Sequence, residues 1–420
     1  MFGTLVLRSL WNRRLATVLT VCSIGLSVAL LLGVERAREA TRTGFTQSIS
    51  GVDLIVGAKG GAVNLLLYSV FRLGTPTENI EYETYKKLTQ HPDIDWVIPY
   101  SLGDSYDIYR VVGTSPLFFQ YFKYGAKQSL AFQEGEAFEG LFDVVLGAEV
   151  ATQKGLKLGD PIVLSHGAEL GEHFQKHDNL PFLVKGVLKA TGTPVDKGVY
   201  ISLKGMTAIH VGWEDGGPPI GEEKLDKAAV SQMNLAVDSV TALFVKTKSP
   251  FKTLHLQRWV NEYEDEPLMA VMPGVVLVEL WETLAYAEGG LKIISILVVI
   301  VGLVTMLIAI YNTLGERRRE MAILRSIGAS PGLVFLVLVG ESLFMTLTGI
   351  ALGFGLLSIL AGIVDNFAAQ ALGVQIGFLT PLSQEVYYLL IVVAVGGLLG
   401  LIPAVRAYRN TLSDGLTIRL

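Results

Sequence analysis

Three of the chain's six histidines fall in one short segment, Ser165-His166-Gly167-Ala168-Glu169-Leu170-Gly171-Glu172-His173-Phe174-Gln175-Lys176-His177-Asp178. His173 and His177 are four apart, so a helical turn would present both imidazoles on one side, a spacing that chelates metal. Gly167 allows His166 to fold back toward them, and Asp178 is placed to ligate or to orient a ligand. The expected set is His166, His173, His177 and Asp178, with His210 the further imidazole nearby in sequence. Zinc is the ion suited to imidazole and carboxylate; the only cysteine, Cys22, lies in an apolar run and excludes an intrachain disulfide. The competing reading is a polar surface loop between two strands. No Gly-Lys dipeptide occurs, so a phosphate-cradling Walker A loop is excluded, and no His-Glu-x-x-His is present.

The second constellation runs from Tyr311 to Pro331. Glu316, Arg317, Arg318, Arg319, Glu320, Met321, Leu324, Arg325 and Ile327 combine good helix formers with an apolar seam at Met321, Leu324 and Ile327. Gly328 suits a C-terminal stop, and Ser330 with Pro331 suits the start of the next helix. The pattern predicts a short amphipathic helix, Glu316 to Ile327, bounded at both ends. A solvated basic loop would need neither the seam nor the punctuation.

These segments must be held by the rest of the chain, and its composition is that of a membrane protein. Of 420 residues, 50% are apolar and only 17% charged, against about 25% charged in soluble domains; mean hydropathy is +0.46. Disorder is excluded by that balance, and the net charge of −5 argues against nucleic acid. Four stretches approach the length a bilayer-spanning helix requires: Leu15–Val34, Ile293–Leu314, Leu333–Ala361 and Val386–Pro403. The first is followed by Glu35-Arg36-Ala37-Arg38 rather than a cleavage site, and reads as a retained anchor. Arg8, Arg13 and Arg14 precede it, Arg317–Arg319 and Arg325 lie between the second and third, and Arg406, Arg409 and Arg419 follow the fourth. Gly362–Glu385 has neither Lys nor Arg. Both termini and the 315–331 loop are therefore expected in the cytoplasm.

Residues 35–288 then form one large extracytoplasmic insert. Strand-like runs at Trp96–Pro99, Tyr106–Val112, Val144–Leu146, Pro161–Leu164, Phe182–Leu188, Val199–Leu203 and Ala242–Lys246 alternate with Gly, Pro and Asp. Glu78–Thr89 and Pro250–Tyr263 read as helices, and Glu35–Ser48 and Leu277–Gly290 as stalks. Gly25, Ala29 and Gly33, Gly349 and Gly353, and Gly396 and Gly400 suit close helix packing. Within the spans the ionisable groups are Lys292 near an interface and Glu341, too few for a proton relay. Glu341 reads either as a helix–helix hydrogen-bonding group or as a coupling residue between spans.

At Glu316–Ser330 the sequence resembles the MacB/FtsX-like permeases of ABC transporters, the mechanotransmission or type VII systems. Pro403-Ala404-Val405-Arg406-Ala407 is similar to that family's ending. Val144-Val145-Leu146-Gly147, Gly155-Leu156-Lys157-Leu158-Gly159-Asp160 and Phe182-Leu183-Val184-Lys185-Gly186-Val187 are similar to its periplasmic core. The glycine-rich stretch Gly51–Gly74 departs from its best-known members. The resemblance implies a membrane protein of four transmembrane α-helices, with a large α+β periplasmic domain inserted between spans 1 and 2. Its order would be an amphipathic helix (1–14), span 1 (15–34), the periplasmic domain (35–288), span 2 (291–314), the coupling helix (315–331), span 3 (333–361), a short periplasmic loop (362–385), span 4 (386–403) and a cytoplasmic tail (404–420).

It further implies a non-enzymatic subunit of the bacterial inner membrane, with ATP and Mg on a separate cytoplasmic ABC ATPase dimer and a second permease copy, identical or related, beside it. ATP-driven closure of the ATPases would push the coupling helix and work on a periplasmic substrate or adaptor protein, by efflux, lipoprotein extraction or regulation, with a zinc link if the histidine segment binds metal. The alternative from another class is a membrane-anchored periplasmic sensor or scaffold, metal-binding or not, without a transport cycle.

Overall fold

The computed structural model describes residues 2–167, 177–211, 226–326, 328–372 and 383–413. The chain divides into two compact units: one of Met1–Ala40, Leu284–Phe367 and Ile376–Leu420, the other of Thr41–Thr283 with Ala368–Gln375.

The first unit is helical. Among the described residues, four helices are long and apolar enough to cross a membrane, over Arg14–Gln47, Pro273–Asn312, Gly332–Ile363 and Gln384–Arg406. Each apolar run leaves part of its surface outward, as at Leu26, Val301, Ile359 and Leu398, while Ile24, Val28, Leu303, Met306, Met345 and Val392 are buried together. Apolar side chains on both faces, with backbone hydrogen bonds satisfied inside each helix, are what a hydrocarbon solvent demands. The N-terminal helix Phe2–Asn12 is amphipathic: Val6 and Leu10 are buried with the same core, and Leu7 and Trp11 are exposed.

The expected glycines sit where these helices come closest. A Cβ on Gly353 would stand 2.6 Å from the Gly25 carbonyl oxygen, and one on Gly349 would stand 2.6 Å from Ile24. Cβ atoms on Gly396 and Gly400 would run into Thr346 and Ser342. Glu341, Ser342 and Thr346 are completely buried in this unit.

One ion pair here was invisible to the sequence pattern. Arg36 Nε and Nη2 donate to the two carboxylate oxygens of Glu385 at 2.5 and 3.0 Å, with the side chains only 4% and 1% exposed. The two-pronged geometry is the strong form of this contact.

The second unit is built on a ten-stranded mixed sheet. Its strands are β1 (Leu54–Ala58), β2 (Ile94–Tyr106), β3 (Tyr109–Thr114), β4 (Phe132–Gly135), β5 (Asp143–Leu146), β6 (Pro161–Ile162), β7 (Phe182–Leu188), β8 (Val199–Ser202), β9 (Ala242–Thr247) and β10 (Leu268–Val271). The spatial order is β10-β1-β9-β2-β3-β8-β5-β7-β4, with β6 added to β7. The β3–β8 and β5–β7 pairs are parallel and the others antiparallel. Alternation along the strands sends Ile55, Tyr100, Val112, Val145, Tyr200 and Phe244 into one aromatic-rich core. The opposite face supports two cores side by side, one around Leu54, Val56, Leu243 and Val245, the other around Val111, Val144, Leu146 and Ile201.

Two sequence expectations change, and one stretch left without an assignment takes form. Tyr106–Val112 is not one strand, because β2 ends at Tyr106 and β3 starts at Tyr109, with Asp107 in the left-handed region at φ 56°; Asp tolerates that turn geometry. The glycine-rich Gly51–Gly74 contributes the wholly buried strand β1 and a helical segment, Ala62–Phe71. Gly57 is required there, because a Cβ would lie 2.5 Å from the Leu65 side chain and 2.8 Å from the Tyr68 hydroxyl. The segment ends on Arg72, which donates to the hydroxyls of Tyr100 and Tyr200 and to the Pro194 carbonyl. Finally, the helix expected to start afresh at Glu316 is part of one unbroken helix, Pro273–Ser326. Helix formers on both sides of Gly315 let the span run on.

The Arg36–Glu385 pair yields a thermodynamic cycle. Removing one partner of a buried pair costs about 3–5 kcal/mol, whereas replacing both with apolar residues is near neutral. Arg36→Met and Glu385→Leu are each expected to lower the thermal unfolding midpoint in detergent, and the double variant to recover most of the loss. Single variants that melt like the parent would show that the pair contributes nothing.

Candidate functional site

The chemistry-bearing group of the second unit forms around one buried carboxylate. Asp104 is 2% exposed and sits in β2 where the β2–β3 register shifts between Leu102 and Ser105. Such a bulge re-aims a side chain that regular alternation would place elsewhere. Immediately beyond it, Ser105 and Ser165 exchange backbone hydrogen bonds of 3.0 and 2.8 Å, which delivers His166 to Asp104. The His177 amide donates to the Leu164 carbonyl at 2.9 Å, bringing the other end of that connection to the same place.

His210 arrives from a different element. The helix Leu203–Ile209 starts on Ser202, whose hydroxyl accepts from the Gly205 amide at 2.9 Å. It is seated by Met206 over Gly103 and Gly113, where a Cβ would come within 3.0 and 3.2 Å of the Met206 side chain. His210 caps its C-terminal end, and His210 Nδ1 lies 2.8 Å from the Met206 carbonyl oxygen. Because a carbonyl only accepts, Nδ1 carries the proton, which leaves Nε2 toward the carboxylate.

The resulting distances are short. Asp104 Oδ1 is 3.3 Å from His166 Nδ1 and 3.4 Å from His210 Nε2, and Asp104 Oδ2 is 3.1 Å from His177 Nε2. The imidazole centroids lie 5.2–6.1 Å apart. One potential ligand atom from each of the four residues falls within 4.8 Å of the others. His177 is as buried as Asp104, while His166 and His210 are 41% and 34% exposed. Burial pushes the Asp104 carboxyl up, but the contacts from His177 and His210 outweigh it and hold the group down at about 2. Burial lowers His166. It also opposes protonation of His210, but the Asp104 and Met206 contacts raise that residue overall. The group holds a carboxylate ionised in a nearly dry place, ringed by imidazole nitrogens.

Of the residues singled out in the sequence, His166 and His177 belong to this group. Asp178 is exposed in the turn that follows and stands outside it. His173 lies outside the described residues. Asp104 escaped the sequence reading because it is far from the histidines along the chain; the Gly103-Asp104 pair inside a strand was the available sign of a bulge.

The second candidate region is the end of the helix Pro273–Ser326. Glu316, Arg317, Arg318, Arg319, Glu320, Met321, Leu324 and Arg325 all lie on it, and Ile327 is outside the described residues. Gly328 has φ 101°, and the Ser330 hydroxyl accepts from the Leu333 amide at 3.3 Å as the next helix begins.

Comparison with known proteins gives two family matches. The family model described as the MacB-like periplasmic core domain matches residues 17–253, more than half of the chain, and the FtsX-like permease C-terminal model matches 292–412. Among solved structures, the periplasmic region of MacB from Actinobacillus actinomycetemcomitans is 12% identical with a TM-score of 0.34, covering 56% of this chain and 94% of that one. The extracellular domain of the noncanonic ABC-type transporter YknZ from Gram-positive bacteria is 13% identical with a TM-score of 0.27, covering 52% and 98%. The comparison with curated proteins gives no match.

Proposed function

Because the chain belongs to the MacB/FtsX-like permease family of ABC transporters, we propose that it transmits ATP-driven motion from a separate cytoplasmic ATPase to its periplasmic domain. The observation that carries this reading is the unbroken helix Pro273–Ser326. It includes residues of the mixed α/β unit, an apolar run long enough to span a bilayer, and the Glu316–Arg325 segment. Helix Arg14–Gln47 likewise continues through the division at Ala40. In this reading these two helices carry the displacement.

In this reading Met321, Leu324 and Ile327 seat the arm in an apolar groove of the ATPase, and Arg317, Arg318, Arg319 and Arg325 meet its acidic rim. Glu316 and Glu320 set the register of the contact. ATP and Mg bind the ATPase, since this chain has no Gly-Lys dipeptide for a Walker A loop. Two permease copies work against an ATPase dimer. Both termini and the 315–331 segment face the cytoplasm, and the driven process takes place in the periplasm, by efflux, lipoprotein extraction or regulation of a partner there. The near absence of charge in the spans supports a substrate route outside the bilayer, and buried Glu341 couples neighbouring helices.

Met321→Asp and Leu324→Asp test the coupling. An apolar anchor at an interface centre is worth about 2 kcal/mol or more, so ATPase affinity is expected to fall about 30-fold while membrane insertion persists. Unchanged ATPase co-purification and coupled hydrolysis in both variants would overturn the proposal. Orientation is checked separately with Cys22→Ser chains carrying one new cysteine. Cysteines at the exposed positions of Lys157 and Lys204 are expected to react with an impermeant thiol reagent in intact spheroplasts, and one at Ser326 only after lysis. Reaction at Ser326 before lysis would reverse the assigned sidedness.

A further inference from the structure

We propose that Asp104, His166, His177 and His210 bind one zinc ion in a four-coordinate site on the periplasmic core. Three features of the geometry point to it.

The first is spacing. With metal–ligand bonds of about 2.0–2.1 Å, the atoms of a tetrahedral site are separated by about 3.3–3.4 Å. Asp104 Oδ1 is 3.3 and 3.4 Å from His166 Nδ1 and His210 Nε2, Asp104 Oδ2 is 3.1 Å from His177 Nε2, and one ligand atom from each of the four residues lies within 4.8 Å of the others. A contraction of the imidazoles by about 1 Å or less closes the tetrahedron around a cation.

The second is orientation. His210 Nδ1 is turned to the Met206 carbonyl, the outer-shell arrangement that fixes a ligating imidazole with its other nitrogen toward the metal. In that neutral form Nε2 presents a lone pair to Asp104 Oδ1 at 3.4 Å. The two facing lone pairs need a positive charge between them, which either a proton on Nε2 or a bound dication supplies. The alternative is an imidazolium at His210, which needs no metal and which a cobalt spectrum distinguishes.

The third is access with donor type. Asp104 and His177 are nearly sealed, whereas His166 and His210 are about one-third exposed or more, which leaves an entry side. Three imidazoles and one carboxylate, with no thiol, suit zinc. Four protein ligands leave no open position for hydrolytic chemistry, so the ion is a structural clip rather than a catalyst. It ties the β6–β7 connection, through His166 and His177, to β2 and to the end of the helix Leu203–Ile209. Zinc is thereby linked to the stability of this domain. The inference stands on this geometry alone and survives a failure of ATPase coupling.

The test uses the full-length chain in detergent, stripped with chelator and titrated with Co²⁺ and then Zn²⁺. The expected result is one Co²⁺ per chain with the intense visible absorption of tetrahedral coordination, displaced by stoichiometric Zn²⁺, and a zinc-dependent rise in unfolding temperature. His166→Ala and His210→Gln, chosen because both side chains are partly exposed, are expected to weaken zinc by about 100-fold or more while the metal-free variants melt like metal-free parent. Asp178→Ala is expected to bind as the parent does. Parent protein without the tetrahedral spectrum would overturn the proposal and leave an imidazolium–carboxylate cluster. So would folded His166→Ala and His210→Gln variants that keep parental zinc affinity.

Discussion

A hydrocarbon solvent offers the backbone no hydrogen-bond partner, and this constraint shapes the rest of the structure. It makes each of the four apolar segments one continuous helix, so polar irregularity is confined to the segments between them. It also requires that helices associate through close contact rather than hydrophobic driving force. Glycine therefore occupies the crossings at Gly25, Gly349 and Gly353, where a single Cβ would overlap backbone or side chain. Arg36 and Glu385 are buried against each other, and each buried charge needs the other.

The long segment between the first two spans obeys the opposite rule and builds its own core around a sheet. That sheet explains why one carboxylate and three imidazoles meet. A bulge at Gly103-Asp104 turns the carboxylate, the Ser105–Ser165 pairing brings the histidine connection alongside, and Gly103 and Gly113 let Met206 seat the helix that ends in His210. Each step is local, but together they join residues that are remote in sequence.

This division governs what the sequence could reveal. The spans and their order were legible because about 20 apolar residues in a row exceed what a strand or helix in a water-soluble core needs. Strands such as Phe182–Leu188 and Ala242–Thr247 were legible from alternation and turn residues. Strand β1 was not legible, because the glycine-rich stretch around it gave no alternation to read; the close approach of Leu65 and Tyr68 accounts for Gly57. The expected short helix from Glu316 is not separate from the span, since glycine at 315 lowers helix stability by only about 1 kcal/mol and strong formers flank it. For the site, local spacing drew attention to His166 and His177, but not to Asp104 or to the role of His210. Their placement depends on strand register and helix seating, which no short window of sequence encodes.

The central claim is that ATP energy reaches the periplasmic domain as motion. The most direct measurement places a spin label at Lys157, exposed on that domain, in a Cys22→Ser chain assembled with its ATPase in lipid nanodiscs. Electron–electron distance distributions between the two copies are compared without nucleotide and with ATP under conditions that block hydrolysis. A shifted distribution is expected in the ATP-bound complex, and the shift is expected to disappear in Leu324→Asp. Superimposable distributions in a complex that demonstrably binds ATP would contradict it.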